Sequence, residues 1–144
     1  MELSEHFNSS EFLCPCCRRA RVAPQLIQGL EELRRLLAAP VIVSSGFRCR
    51  RRNADIGGTA ASQHPKGRAA DVHTGGRHSV LELYQATRLV PVFLASGIGI
   101  YPTGGFVHVD VLRPGAARWG RVWGKLVPFP VAYAQLRAGT GAAA

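Results

Sequence analysis

The chain is poor in several things at once. Only four of its 144 residues are cysteine, too few for the disulfide-dense scaffold of a domain without a core. No apolar run approaches the roughly 18 residues of a membrane-spanning helix. The opening stretch, Met1 to Phe7, has neither a basic nor an apolar segment, so no secretory signal peptide is expected. No short-period repeat and no repeat at a period of about 20–50 residues is visible, which excludes collagen, coiled-coil and solenoid architectures. Acidic residues are scarce, 9 against 18 Lys+Arg. Lysine is scarcer still: Lys66 and Lys125 are the only two, so the other sixteen cations are arginine. The net charge of +9 suits a polyanionic partner such as nucleic acid, anionic lipid or a cell-wall polymer. It is equally what a GC-rich genome writes when Arg codons replace Lys. The arginines (19, 34, 51, 77, 118 and 137 among them) form no continuous stripe, and no nucleic-acid-binding motif is present, so specific nucleic-acid binding is not expected.

What is present is a globular composition, 47% hydrophobic and 19% charged, in a length that closes one core. One domain over residues 1–144 is expected, and a monomer. Residues 1–23 read as an irregular arm, with Ser4, Ser9 or Ser10 as caps and Phe7 and Phe12 as docking groups. Pro24 to Ala38 carries Leu26, Leu30, Leu33 and Leu37 at helical spacing, with Pro24 in the first turn and Pro40 beyond the end. Val41 to Ser44 is a β-branched run and reads as a strand. Gly46 to Gly76 is loop-rich, with a short strand at Ala69 to His73. Ser79 to Ala95 reads as a second helix that Pro91 can interrupt. Gly97 to Tyr101 and Phe106 to Val111 are strands, the second alternating valines with His108 and Asp110 on the opposite face. Leu126 to Leu136 is a weaker element, and residues 138–144 are expected to fray. The order predicts an α+β fold, a small antiparallel sheet flanked by helices.

Two groups of residues can carry chemistry. The first is Cys14-Pro-Cys16-Cys17 with Cys49: a metal knuckle, a single disulfide to Cys49, or free buried thiols. The second starts from His64 and Asp71, seven apart across Gly67, where a loop leads into a strand. Imidazole nitrogen and carboxylate oxygen are good zinc ligands, and catalytic zinc takes three with a fourth position open. His108, on the polar face of its strand, is the natural third. His64, Asp71 and His108 are therefore the candidate ligands of one catalytic Zn2+.

The segment Ser62-Gln-His-Pro-Lys-Gly-Arg-Ala-Ala-Asp71 resembles the S-x-H-x-x-G-x-A-x-D signature of the zinc D-alanyl-D-alanine carboxypeptidases. That family also holds phage L-alanyl-D-glutamate endopeptidases, vancomycin-resistance dipeptidases and the hedgehog signalling domain. Ser44-Ser-Gly-Phe-Arg48 is similar to its S-G-[YF]-R segment. Gly99-Ile-Tyr101 with Phe106-Val-His-Val-Asp110 is similar to the segment holding its last ligand. Phe7 to Cys14 resembles the N-terminal arm of the phage and bacterial branch. The resemblance runs from about residue 4 to 123.

It implies that His64, Asp71 and His108 hold zinc, and that Arg48 is catalytic and substrate-binding. A guanidinium there can clamp a carboxylate or stabilise an oxyanion. Ser62 is implied near the substrate. Tyr101, Trp119 and Trp123 are cleft wall or core, with Tyr101 taken as substrate-binding. Arg50-Arg-Arg52 is a solvated patch or a grip on anionic substrate. His6, His73 and His78 read as packing or surface residues. The family's general base is missing from Pro102-Thr-Gly-Gly105, and a second histidine of some relatives is Phe106 here. Asp110 is left as general base, or as the partner that orients a ligand imidazole. The implied reaction is hydrolysis of peptidoglycan stem peptides, at a D-Ala–D-Ala or L-Ala–D-Glu bond, with a zinc-activated water as nucleophile. The protein is expected to be made in the cytoplasm and to reach the wall or periplasm by a lysis or export route, or as a virion part. The alternative is a non-catalytic zinc-containing module that binds wall or protein, as in the hedgehog branch.

Overall fold

Leu26, Leu30, Leu33 and Leu37 share one helix face, and the computed structural model, which describes residues 1–142, buries all four on helix α1, Pro24–Leu37. Pro24 stands in its first turn and Ala38 closes it in the left-handed region, at φ 49°. The chain continues through β1 (Ile42–Ser45), α2 (Arg50–Asp55), a 3-10 turn (His64–Lys66), β2 (Ala69–His73), α3 (Val80–Thr87), α4 (Pro91–Leu94), β3 (Gly97–Tyr101), β4 (Phe106–Asp110), β5 (Ala117–Val122), β6 (Lys125–Val127) and α5 (Phe129–Ala142). The six strands form one sheet in the order β1-β2-β4-β3-β5-β6. This is the α+β fold the element order predicts. β3 and β5 pair in parallel and every other pair is antiparallel.

The sheet has two unlike faces because its central strands alternate. Val107 and Val109 of β4, Ile98 and Ile100 of β3 and Ala70 and Val72 of β2 enter the core, against α3 and α4, on which α1 packs in turn. Truncating one such side chain, Leu30 or Val109 for example, costs about 2–5 kcal/mol for a leucine and less for a valine. Asp71, His108 and Asp110 point the other way, and the segment 46–68 folds across that face.

Some elements differ from the sequence expectation. Asn8, not a serine, caps the arm's 3-10 turn Ser9–Phe12, reciprocally with Glu11. Phe7 and Phe12 dock as expected, with ring centroids 6.3 Å apart. The long loop contains α2, whose six residues include three arginines and carry no apolar period. Pro91 splits the second helix into α3, capped by Ser79 and Glu82, and α4. β5 lies in a stretch without alternation, Ala-Arg-Trp-Gly-Arg-Val. Helix α5 runs to Ala142; of the stretch 138–144 expected to fray, residues 143 and 144 lie outside the described residues. Among the described residues no helix is long and apolar enough to cross a membrane.

Candidate metal centre and cleft

Asp71 and His108 are direct partners across the β2–β4 ladder. That register alone sets a carboxylate beside an imidazole on the polar face, and a slip of either strand by one residue would turn its member of the pair into the core. His64 comes from outside the sheet. Its 3-10 turn ends at Gly67, at φ 70°, where the left-handed conformation returns the chain into β2. The ligating atoms of His64, Asp71 and His108 all lie within 4.8 Å of one another, and all three residues are buried.

Each ring has one nitrogen already committed. His64 Nδ1 donates to the Gly46 carbonyl at 2.7 Å. His108 Nε2 donates to Asp110 Oδ2 at 2.8 Å. The remaining nitrogens, His64 Nε2 and His108 Nδ1, face the same oxygen, Asp71 Oδ1, at 3.4 and 3.1 Å. Two ring nitrogens and a carboxylate oxygen pointed at one place are a donor set for a small cation, and two imidazoles with one carboxylate suit zinc. Burial works to raise the Asp71 carboxyl, but the contacts with His108 and His64 outweigh it and hold it well below the carboxylate range. Burial lowers His64. For His108 burial also works downward, and the contacts with Asp110 and Asp71 override it and raise the ring. Asp71 therefore stays ionised and His64 neutral at neutral pH, the forms in which both ligate metal.

Asp110 sits on the far edge of the His108 ring and is fully buried. Its Oδ1 accepts from the Ser96 hydroxyl at 2.5 Å and from the Gly97 N–H at 2.7 Å. Its Oδ2 takes Arg113 Nη2 at 2.9 Å as well as His108. A Cβ on Gly97 would run into this carboxylate, so the glycine makes the room. Burial works to raise the Asp110 carboxyl; the bonds from His108 and Arg113 prevail and keep it well below its usual range.

Arg48 reaches the centre from the loop after β1. Its Nη2 donates to Asp71 Oδ2 at 3.0 Å and to His64 Nε2 at 3.2 Å, while Nε is held by the Ser45 hydroxyl at 3.0 Å. These groups form the floor of a cleft of about 470 Å³, with Ser62, Tyr101, Trp119, Arg113 and Arg121 in its walls. Ser62 Oγ accepts from the His64 N–H at 3.3 Å. Trp119 lies 4.8 Å from the His108 ring and donates to the Tyr101 hydroxyl at 3.2 Å. Burial raises the Tyr101 phenol.

The structure therefore brings Arg48, Ser62, His64, Asp71, Tyr101 and His108 together at one cleft, with Asp110 behind His108. Trp123 is 79% exposed and stands apart. His73 accepts from the Gly75 N–H, and His78 donates to the Leu37 carbonyl. His6 binds Glu31. Three supporting residues escaped the sequence reading. Ser96 and Arg113 complete the shell of Asp110, and Asn53 accepts from Arg48 Nη1 at 3.4 Å. Arg113, three residues after Asp110, was visible as a turn-spaced ion pair; Ser96 and Asn53 carried no sequence signal. Of the comparisons with known proteins, no curated protein matches the chain. A family model described as Peptidase M15 matches residues 5–110.

Proposed function

The chain belongs to the peptidase M15 family, and on that premise we propose that it is a zinc-dependent peptidase that hydrolyses the stem peptides of bacterial peptidoglycan. The family implies a metallopeptidase and zinc. The observation that carries the reading is the convergence of His64 Nε2, His108 Nδ1 and Asp71 Oδ1 on the floor of an open cleft. Those three residues would hold the ion, which when bound polarises water and the scissile carbonyl. The other roles belong to the protein's own groups. Asp110 fixes the tautomer and orientation of His108 through Nε2–H, as a carboxylate behind a ligating imidazole does. Of the two roles expected of Asp110, this geometry supports the orienting one: its oxygens are taken by donors and it faces away from the cleft. Arg48 is aimed at the same centre, where its paired N–H donors can hold a substrate carboxylate or a developing oxyanion. Arg113 and Arg121 add positive charge to the walls, which favours an anionic peptide such as a wall stem. Tyr101 and Trp119 give an apolar surface for its backbone. The wall would be reached by a lysis or export route, or with a virion.

A specific observation favours a second reading. Among the residues lining the cleft, Asp71 is the only carboxylate, so no free acid faces the centre to accept a proton. A module that binds a wall peptide without turnover fits that feature. The two separate in one experiment. Zinc-loaded protein is incubated with peptidoglycan fragments and with a peptide ending in D-Ala–D-Ala, and products are identified by mass. Released D-alanine supports the carboxypeptidase, and a new D-Glu amino terminus supports the endopeptidase. Intact fragments that nevertheless bind the zinc-loaded protein support the module. If neither cleavage nor binding occurs, the peptidoglycan reading fails.

A further inference from the structure

The four cysteines are left unused by the cleft, and they are the second place where ligating atoms gather. Cys14 is fully buried at the end of the arm. Its N–H donates to the Arg19 carbonyl and its carbonyl accepts from the Arg18 N–H, both at 2.8 Å. Arg18 takes φ 61°, so the chain reverses between residues 14 and 19 and returns Cys17 onto Cys14. Cys49 arrives from the other direction, as the residue before α2. Its Sγ accepts from the Arg52 N–H at 3.4 Å, and its own N–H donates to Cys14 Sγ at 3.4 Å. The sulfurs of Cys14, Cys17 and Cys49 lie within 4.8 Å of one another. Cys16, exposed, is the sequence neighbour of Cys17.

The sulfur spacing is informative. Cys14 Sγ and Cys49 Sγ are 3.7 Å apart. A disulfide needs about 2.05 Å. Thiolates about 2.3 Å from a tetrahedral zinc sit roughly 3.8 Å apart along each edge. Backbone N–H groups aimed at sulfur favour the thiolate, the form that binds metal. Charge closes the argument. Zinc with four thiolates carries a net −2, and both sequence segments that supply the sulfurs carry arginines: Arg18 and Arg19 in one, Arg50, Arg51 and Arg52 in the other. This accounts for an arginine run that the cleft leaves without a role.

We propose that Cys14, Cys17 and Cys49, with Cys16 as fourth ligand, bind a structural zinc that clamps the N-terminal arm to the start of α2. The clamp would act one residue from Arg48. Phe47 N–H already donates to the Phe12 carbonyl at 3.0 Å, so the metal would lock a strap whose next residue is the cleft's arginine. It also closes a loop over α1 and β1, which lowers the entropy of the unfolded chain.

The test is independent of peptidase activity. Wild-type protein, His64→Ala and Cys17→Ser are loaded with cobalt(II) alone under reducing conditions, and metal content and near-ultraviolet absorption are measured. The cleft offers no thiolate, so a thiolate-to-cobalt charge-transfer band reports the cysteine site alone. Two metal equivalents are expected in wild type and one in each variant, with the band retained in His64→Ala and lost in Cys17→Ser. Cys16→Ser should weaken retention of this metal against a chelator; retention equal to wild type would overturn the assignment of Cys16. If Cys17→Ser does not fold, the zinc-loaded wild type decides. Its thiols should resist a disulfide reagent until a chelator is added. Absence of the charge-transfer band in wild type, free reaction of all four thiols, or an intact mass two hydrogens short would each overturn the site.

Discussion

Asp71 and His108 meet across two paired strands in the middle of a sheet, whereas Cys14, Cys17 and Cys49 meet where a surface turn touches the start of a six-residue helix. In the first place the backbone is fixed by ladder hydrogen bonds on both sides, and the ligands inherit their positions from the register. In the second, the two segments are joined by scattered bonds, such as the Phe47 N–H to the Phe12 carbonyl and the Cys49 N–H to Cys14 Sγ, and not by a ladder. The strand-built centre can therefore stay organised without its ion. The turn-built one depends on its ion for much of its geometry. On the proposals above, metal at the sheet would be a tool carried by the fold, and metal at the cysteines would be part of the fold.

The sharpest way to break the comparison is Asp71→Ala. It removes a ligand and also strands Arg48, whose side chain is 13% exposed and paired to Asp71 at 3.0 Å. Leaving one partner of a buried ion pair uncompensated costs about 3–5 kcal/mol. Elemental analysis should show the sheet metal lost and the cysteine metal kept, with peptide cleavage at background and a lowered midpoint in denaturant. Retention of both metals would remove Asp71 from the ligand set.

Arg48→Ala comes next. Removing a preorganised donor of this kind costs about 10²–10³-fold in kcat, and both metals should stay. Arg48→Lys should rescue little, because one ammonium cannot reproduce bonds to Ser45, Asn53, His64 and Asp71 at once. A lysine variant with wild-type kcat would show that only the charge matters.

Asp110→Asn is a smaller and more diagnostic change. If Asp110 positions His108, zinc affinity of the sheet site should fall about 10–100-fold, read by competition with a chromophoric chelator, with kcat at saturating zinc little altered. A base would show the opposite split, with affinity unchanged and kcat collapsed.

How far these roles were legible differs by region for the same physical reason. The sheet centre could be read because alternation in Phe106 to Asp110 fixes which side chains share a face, and because Gly67 permits the left-handed turn that returns the loop into β2. The first helix was equally plain from its leucines. β5 was hidden, since Ala117–Val122 shows no alternation: its pairing is decided by β3 beside it rather than by its own pattern. α2 was hidden because its helical form rests on Cys49 as cap and on contacts with the His64 turn, not on an apolar stripe. The role of Asp110 could not be read at all from spacing. Its position beside His108 was clear, but which edge of the imidazole it meets depends on the bonds from Arg113, three residues on, and from Ser96, fourteen residues back. The cysteine site was half legible: the cluster was visible, and its fate hung on where Cys49 would land.

The smallest expected effect tests how the arm is held when the clamp is intact. Its first residues are tied to α1 by Glu31, which accepts from the Ser4 hydroxyl at 2.6 Å, the His6 N–H at 2.9 Å and the His6 ring at 2.7 Å. Burial works to raise this carboxyl, and the bonds from Ser4 and His6 prevail and lower it. A depressed folded-state pKa contributes stability above the unfolded value, about 4.3 for Glu, and loses it as pH falls through the folded value. The arm's attachment should therefore be complete at neutral pH and weaken below about pH 4. Glu31→Gln should remove that pH dependence and cost about 1 kcal/mol, seen as faster hydrogen exchange of Leu3 and Ser4, whose N–H groups bond the Phe7 carbonyl. With metal at the cysteines, exchange at Cys14 and Arg18 should not change, because the clamp holds that end separately. After chelation the same substitution should loosen more of the arm, since its far end then rests on the docked Phe7 and Phe12 and on the Phe47 N–H bond to the Phe12 carbonyl without the metal. An effect of Glu31→Gln that is the same with and without metal would show that the cysteines do not hold the arm.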